Sequence, residues 1–130
     1  MPRAEHSAIL LFAHGARDPE WAQPFLRMVS RIRQARPDLT VELAFLETMR
    51  PSLAEAVAKM AAAGHRGITL VPLFLAQGGH LKQDLPRLLE KIRQNHAKMR
   101  IEVTEAIGDS QALTDAIADW ALARHLSAFP

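Results

Sequence analysis

ITLVPLF, residues 68–74, is the stretch that decides the fold, because it is apolar on both faces over the length of one strand. Such a run is typical of a central strand in a parallel sheet, which is covered by helices on both sides. Pro72 lacks the N–H that a central strand donates to its neighbour. We therefore expect a bulge at Pro72, or a strand that ends just beyond Val71.

Three more apolar runs of strand length alternate with amphipathic stretches, so that strands are predicted over 8–13, 41–46, 68–74 and 101–106. Helices are predicted over 20–35, 51–63, 83–96 and 111–126, where apolar side chains recur at three- and four-residue spacing. Regular alternation of strand and helix predicts right-handed crossovers in a parallel sheet. We predict an α/β fold: a single three-layer domain over 1–130, with a four-stranded parallel sheet in the order 2-1-3-4 and helices on both faces. No internal repeat is evident.

Composition narrows the classes of function. The 130 residues carry a net charge of +2, few aromatic residues and no tyrosine, which argues against nucleic-acid binding. Cysteine is absent, so disulfides, thiolate metal sites and cysteine nucleophiles are excluded. The first residues, MPRAEHSAILLFAHG, fit neither a signal peptide nor a membrane span. We expect a cytoplasmic protein that binds neither nucleic acid nor membrane.

Three side chains with acid–base or metal-binding chemistry follow three of the predicted strands. His14 follows the first strand, Glu47 the second and His80 the third. Ligands of such sheets bind beyond the carboxyl ends of the strands, where the strand order reverses, so these side chains are predicted to converge on one cleft. Two imidazoles and a carboxylate suit Co²⁺, Ni²⁺, Fe²⁺ or Zn²⁺, and they suit proton abstraction equally well.

Glycines and cations surround these candidates. The glycines at 78–79 would let the backbone approach a flat or bulky ligand closely, and Arg17, Arg50 and Lys82 are candidates for binding carboxylates or phosphates. Simpler interpretations stay open. Each histidine can be a turn residue, the glycines can serve a turn alone, and Arg17 with Asp18 can be an ion pair or a helix cap.

Three segments occur in order along the chain: HGARDPEW at 14–21, AFLETMRPSLAEAV at 44–57 and VPLFLAQGGHLKQDLP at 71–86. Together they resemble the short form of the CbiX chelatases, which insert a divalent metal into sirohydrochlorin and are related to class II chelatases such as ferrochelatase. The resemblance covers nearly the whole chain, and its third segment is the most specific.

The resemblance implies roles for individual residues. His14 and His80 match the two histidines that bind the metal and act on the pyrrole protons, and Glu47 matches the carboxylate associated with them. Arg50 stands where some relatives have a glutamate that contacts substrate, and an arginine there can pair with a substrate carboxylate. The loop that lies against the macrocycle corresponds to Leu75, Ala76, Gln77, Gly78, Gly79 and His80.

The implied activity is that of a sirohydrochlorin cobaltochelatase-type lyase, with Co²⁺ as the metal and Fe²⁺ or Ni²⁺ as alternatives, in cobalamin or siroheme biosynthesis. The metal would be a substrate, and no permanently bound cofactor is expected. The carboxylate-rich sirohydrochlorin would meet a cationic rim of Arg17, Arg50 and Lys82. Because the short form resembles half of a class II chelatase, a homodimer would complete the cleft.

Two other functions remain as hypotheses. The same cleft would serve a non-catalytic carrier of metal or tetrapyrrole. Alternatively, His14 followed by Gly15 and Arg17 would suit a histidine-dependent phosphoryl-transfer or hydrolase domain. The lack of a glycine-rich phosphate loop after the first strand argues against the latter.

Overall fold

Four parallel strands form one sheet in the computed structural model, which describes residues 6–76 and 78–130, with Gly79 and His80 described by their backbone alone. The strands are β1 (Ser7–Ala13), β2 (Thr40–Phe45), β3 (Gly67–Pro72) and β4 (Arg100–Val103), in the order β2-β1-β3-β4. The helices are α1 (Gln23–Ala35), α2 (Leu53–Ala62), α3 (Gly79–Asn95) and α4 (Gln111–Ala128). Short 3-10 helices span Pro19–Ala22 and Ile107–Asp109. The predicted fold class and strand order are confirmed.

Pro72 is the last residue of β3, as one of the two expected solutions requires. Leu70 accepts a hydrogen bond from Thr104 N on the β4 side, at 2.9 Å, and Leu73 N donates to Phe12 O on the β1 side, at 2.8 Å. Residues alternate between these two sides, so Pro72 faces the side on which β4 has already ended opposite Leu70. The missing N–H therefore falls beyond the strand ladder.

The core has two layers, one on each face of the sheet. Alternation along β1 sends Leu10 and Phe12 into the layer beneath α2 and α3, and Leu11 and Ala13 into the layer beneath α1. All four side chains are buried. β1 carries apolar side chains on both faces from Ala8 to Ala13, as expected of a central strand. In β3 the face of Ile68 and Leu70 is buried, whereas Thr69 on the other face is exposed.

The third helix differs from its predicted span. α3 begins at Gly79, four residues before the predicted start at residue 83, and Gly78 is its extended N-cap. The predicted start followed the apolar spacing, which begins at Leu85. In the structure Pro86 lies inside the helix, and two turns precede it. His80 consequently belongs to the first turn of α3 rather than to a loop.

The two edge strands are held by equivalent arginines. The tripeptide IRQ occurs at 32–34 and at 92–94, next to the last residue of α1 and of α3. The two copies are sixty positions apart, and β1 pairs with β3 at the same separation, with Ala8 beside Ile68. Arg33 Nη2 donates to Val41 O at 2.7 Å, and Arg93 Nη2 donates to Ile101 O at 2.8 Å. Each edge strand is thus held by an arginine from the helix that precedes it.

The last helix, α4, stands outside both core layers. None of its residues, all of which the structure describes, is buried. Ser110 caps its first turn by accepting a hydrogen bond from Leu113 N at 3.4 Å. Across the described part of the chain, α4 included, there is no helix long and apolar enough to cross a membrane.

Candidate active site

His14 and Glu47 meet at the carboxyl edge of the sheet. The Nε2 atom of His14 lies 2.9 Å from Oε1 of Glu47, and the two side chains are 56% and 61% exposed. A carboxylate oxygen only accepts hydrogen bonds, so the imidazole donates from Nε2 and its Nδ1 lone pair is left to accept a proton or bind a metal. The convergence predicted for these two residues is found.

The backbone brings these two side chains together by extending the pairing of β1 with β2. Leu46 N donates to Ala13 O at 2.9 Å, and Glu47 N donates to His14 O at 3.1 Å. Gly15 has a φ of +97°, and a β-carbon there would lie 1.9 Å from Glu47 O. Only glycine fits a position that combines a positive φ with such a close backbone approach.

Thr48 adds a second constraint on Glu47. Its φ is +71°, a conformation that is unusual for a β-branched residue and costs on the order of 1–3 kcal/mol. Met49 N donates to Glu47 O at 2.7 Å and closes this tight turn. Glu47 is therefore held between Gly15 on one side and a strained turn on the other, an arrangement that is concentrated at functional sites.

Phe74, just after β3, forms the wall beside His14. Its buried ring packs edge-on against Phe12, at 5.6 Å between centroids, and against the His14 imidazole, at 6.3 Å. Gly108 supports the backbone of residues 74–75. Its N donates to Phe74 O at 3.2 Å, and a β-carbon there would lie 1.4 Å from Leu75 O.

The segment after Phe74 was predicted to contact a flat ligand. Leu75 is 64% exposed, and Ala76 is exposed beside it. A β-carbon on Gly78 would meet no atom within 4 Å, so packing inside the protein does not require glycine there. Gln77 lies outside the described residues.

His80 is placed only by its backbone, as the second residue of α3. Its side chain and that of Gly79 lie outside what the structure describes, so the convergence of His80 with the other two residues stays a prediction. Among the side chains that are described, no three histidine, aspartate or glutamate residues are grouped so as to hold a metal ion.

The predicted cations differ in their surroundings. Arg17 and Lys82 are exposed. Arg50 is also exposed, but its guanidinium is bound to Glu55: Nε donates to Oε1 at 3.2 Å, and Nη2 donates to Oε2. That arginine lowers the pKa of the Glu55 carboxyl to about 2. Asp18 accepts a hydrogen bond from Glu20 N at 3.0 Å and caps the first 3-10 helix, which confirms the helix-cap interpretation.

Sequence reasoning missed Thr48, Phe74 and Gly108. Phe74 was visible only as the end of an apolar run, and nothing in the sequence marks a threonine that will adopt a positive φ. Gly108 lies far along the chain from the loop that it supports, so its role depends on the tertiary fold.

The fold and this edge of the sheet define the class of protein: an α/β domain of the chelatase type, with an imidazole–carboxylate pair beyond the carboxyl ends of its central strands. A family model for CbiX matches residues 8–122, and the chain belongs to the CbiX family. The predicted resemblance and the prediction of a chelatase-type enzyme are confirmed.

Curated relatives share about a third of their residues with this chain. A sirohydrochlorin cobaltochelatase from Sulfurisphaera tokodaii is 33% identical over 85% of this chain and 88% of its own length. A sirohydrochlorin cobaltochelatase from Saccharolobus islandicus (strain L.S.2.15 / Lassen #1) is 31% identical over 84% of this chain and 88% of its own length.

Solved structures share the fold. A CbiX protein from Marinobacter aquaeolei VT8, provisionally named for cobalamin (vitamin B12) biosynthesis, superposes with a TM-score of 0.80 at 31% identity, over 93% of this chain and 98% of that one. The sirohydrochlorin chelatase SirB from Bacillus subtilis subspecies spizizenii, in complex with cobalt, superposes with a TM-score of 0.73 at 24% identity, over 87% of this chain and 48% of SirB.

Proposed function

We propose that this protein is a metal chelatase that inserts Co²⁺ into sirohydrochlorin. The observation that carries the proposal is the pairing of His14 Nε2 with Glu47 Oε1 at 2.9 Å, in a chain 31–33% identical to curated sirohydrochlorin cobaltochelatases. Fe²⁺ and Ni²⁺ are the alternative metals, and the product would serve cobalamin or siroheme biosynthesis.

Metal insertion exchanges two pyrrole N–H protons for one dication, so the site needs a base and a metal donor. His14 holds its Nε2 hydrogen against Glu47 and offers Nδ1, which accepts a pyrrole proton or binds the entering metal. The Glu47 carboxylate then stabilises the imidazolium that forms after proton transfer. His80 is the second histidine in this proposal and shares the tasks of base and ligand.

The macrocycle is proposed to lie against residues 75–80. Leu75 and Ala76 offer exposed apolar surface, and Gly78 leaves open space in which a ring can approach the backbone. Gln77 and Gly79 complete the proposed contact.

The substrate carboxylates are proposed to meet Arg17, Arg50 and Lys82. A substrate carboxylate would replace Glu55 as the partner of Arg50, because either carboxylate can accept hydrogen bonds from Arg50 Nε and Nη2. The metal is a substrate in this scheme, and no permanently bound cofactor is proposed.

A homodimer is proposed to complete the cleft. More than half of the surface of the His14 and Glu47 side chains is exposed, so a single copy leaves the pair open on one side. Cytoplasmic location and the lack of a nucleic-acid partner stay predictions from the sequence.

The test is anaerobic incubation of the purified protein with sirohydrochlorin and each of the three metals, followed by visible absorption. We expect turnover faster than the spontaneous reaction, with Co²⁺ the fastest metal. A spectral change that stops at one equivalent per protein would instead indicate a carrier, and no acceleration with any metal would refute chelatase activity.

Variants of the pair test its part in the reaction. His14→Ala and Glu47→Gln are expected to lower the rate of insertion by about 10²–10⁴-fold, the usual contribution of a positioned acid–base group. His96→Gln is the matched control, because His96 follows α3 at the opposite, amino edge of the sheet. Equal rates of metal insertion for His14→Ala and His96→Gln would show that His14 does not take part in the reaction.

A further inference from the structure

The final helix is apolar on two opposite sides. At about 100° per residue, Leu113, Ile117 and Trp120 fall on one side of α4, and Leu122, Leu126 and the following Phe129 fall on the other. All six side chains are 46–69% exposed. The apolar side of a helix normally packs against the rest of the protein, and neither of these two sides is buried in a single copy.

The first of these sides faces a groove on the domain itself. The groove has a volume of about 540 Å³ and is almost wholly apolar. Its floor and walls are Val71 and Leu73 at the end of β3, Met28 of α1 and Ile107. Leu113, Ala116, Ile117 and Trp120 of α4 form the facing wall. The second apolar side of α4, that of Leu122, Leu126 and Phe129, does not line this groove.

Charges along α4 are arranged to match a second copy of the same helix. Asp115 and Asp119 lie in its first half, and Arg124 and His125 lie in its second half. Two such helices run antiparallel when the two-fold axis that relates them is perpendicular to their length, and the acidic half of each then lies beside the basic half of the other. Self-complementarity of this kind is what the interface of a two-fold dimer requires.

The exposed apolar area is also of the right size. Aromatic side chains such as Trp120 and Phe129 present up to about 150–250 Å² each. Together with the leucines and isoleucine of α4, and the groove itself, the surface approaches the roughly 800 Å² per partner of a standard interface.

We propose that α4 is the dimerisation element, and that the Leu122, Leu126 and Phe129 side of one copy docks into the groove of the other, reciprocally. The inference rests on the homodimer of the proposed function and names its interface. It gives each copy of α4 a partner on both of its apolar sides.

Mass measurement by light scattering on the full chain tests the interface. We expect wild type at twice 14.4 kDa, and we expect Leu126→Glu to weaken dimerisation by about 10–100-fold. Ala121→Glu is the matched control, because it adds the same charge to α4 between the two apolar sides. Circular dichroism checks that the variants keep their helices. A monomeric wild type, or equal masses for the two variants at each concentration, would overturn the proposal.

Cross-linking tests the reciprocal arrangement, since the chain has no cysteine of its own. A mixture of Met28→Cys and Leu126→Cys single variants is expected to yield a disulfide-linked pair that contains one chain of each. If the double variant instead forms its bridge within one chain and the mixture forms none, α4 closes on its own groove and the proposal is wrong.

Neither experiment uses tetrapyrrole or metal, so the two proposals can fail separately. An active monomer would overturn the interface and leave the proposed activity standing. A dimer through α4 without chelatase activity would do the reverse.

Discussion

At the residue scale, the His14–Glu47 pair depends on a neighbour that has no side chain. Gly15 lets the loop after β1 come so close to Glu47 that a single added methyl group would overlap the Glu47 carbonyl. His14 therefore supplies the imidazole, and Gly15 next to it leaves the space in which the Glu47 backbone can lie.

Gly15→Ala is expected to destabilise the fold by roughly 2–5 kcal/mol, because the substitution combines a disfavoured φ with a backbone clash. Gly64→Ala is the matched control: its φ is +93°, yet a β-carbon there would meet nothing within 4 Å. It should cost only about 1–2 kcal/mol. Urea denaturation of both variants measures the difference, and equal losses would show that the close approach to Glu47 is unimportant.

Glu55 provides a pH-dependent test of the Arg50 contact. Its pKa is lowered from 4.5 to about 2, first by the hydrogen bond from Arg50 and then by the one from Ser52 N. A lowered pKa means that the contact stabilises the fold fully above about pH 4.5 and that this contribution is lost as the pH falls toward 2. In Arg50→Gln the carboxyl should titrate nearer to 4.5, as followed by carboxyl-carbon NMR.

Asp38 is the internal control for that titration. Its pKa is lowered by the separate hydrogen bond from Arg36, so it should titrate identically in wild type and in Arg50→Gln. A Glu55 titration that also stays unchanged would show that Arg50 does not hold this carboxylate in solution.

At the scale of elements, the repeated arginines predict equivalent fastening of the two edge strands. Arg33→Ala and Arg93→Ala should each lower the free energy of unfolding by about 1–2 kcal/mol, because each removes a charged donor from a strand carbonyl. Arg31→Ala, at an exposed position on α1, is the control and should change stability by less than about 0.5 kcal/mol. Denaturation curves decide the matter, and losses no larger than that of Arg31→Ala would contradict it.

Elements with strong periodicity were predictable, and their boundaries were less so. β3 ends at Pro72 because proline chemistry stops the ladder there, which sequence reasoning anticipated. The predicted start of α3 was wrong by four residues because the apolar spacing that indicated the helix begins only at Leu85. Pro86 lies inside the helix. Tertiary packing of Leu85, Leu89 and Ile92 outweighs the local cost of that proline.

At the scale of the whole molecule, the strand order could be predicted because alternating βαβ units and a both-sides-apolar strand leave few arrangements. The same order predicted that His14 and Glu47 would meet, since it places β1 beside β2. What could not be predicted were contacts set by loop conformation, such as the φ of Thr48 or the Arg50–Glu55 pair. The lone position of α4 was also invisible, because its apolar spacing fits a core helix as well as an interface helix.

Gly108 connects these scales. It lies just before α4 and supports Leu75 and Phe74, whose ring touches His14. In the proposed dimer, a shift of α4 would therefore reach the proposed substrate loop through the backbone contacts of Gly108. Such linkage between assembly and ligand binding is reciprocal. If the second copy raises the affinity for the tetrapyrrole by some factor, the tetrapyrrole must raise the affinity of the two copies for each other by the same factor.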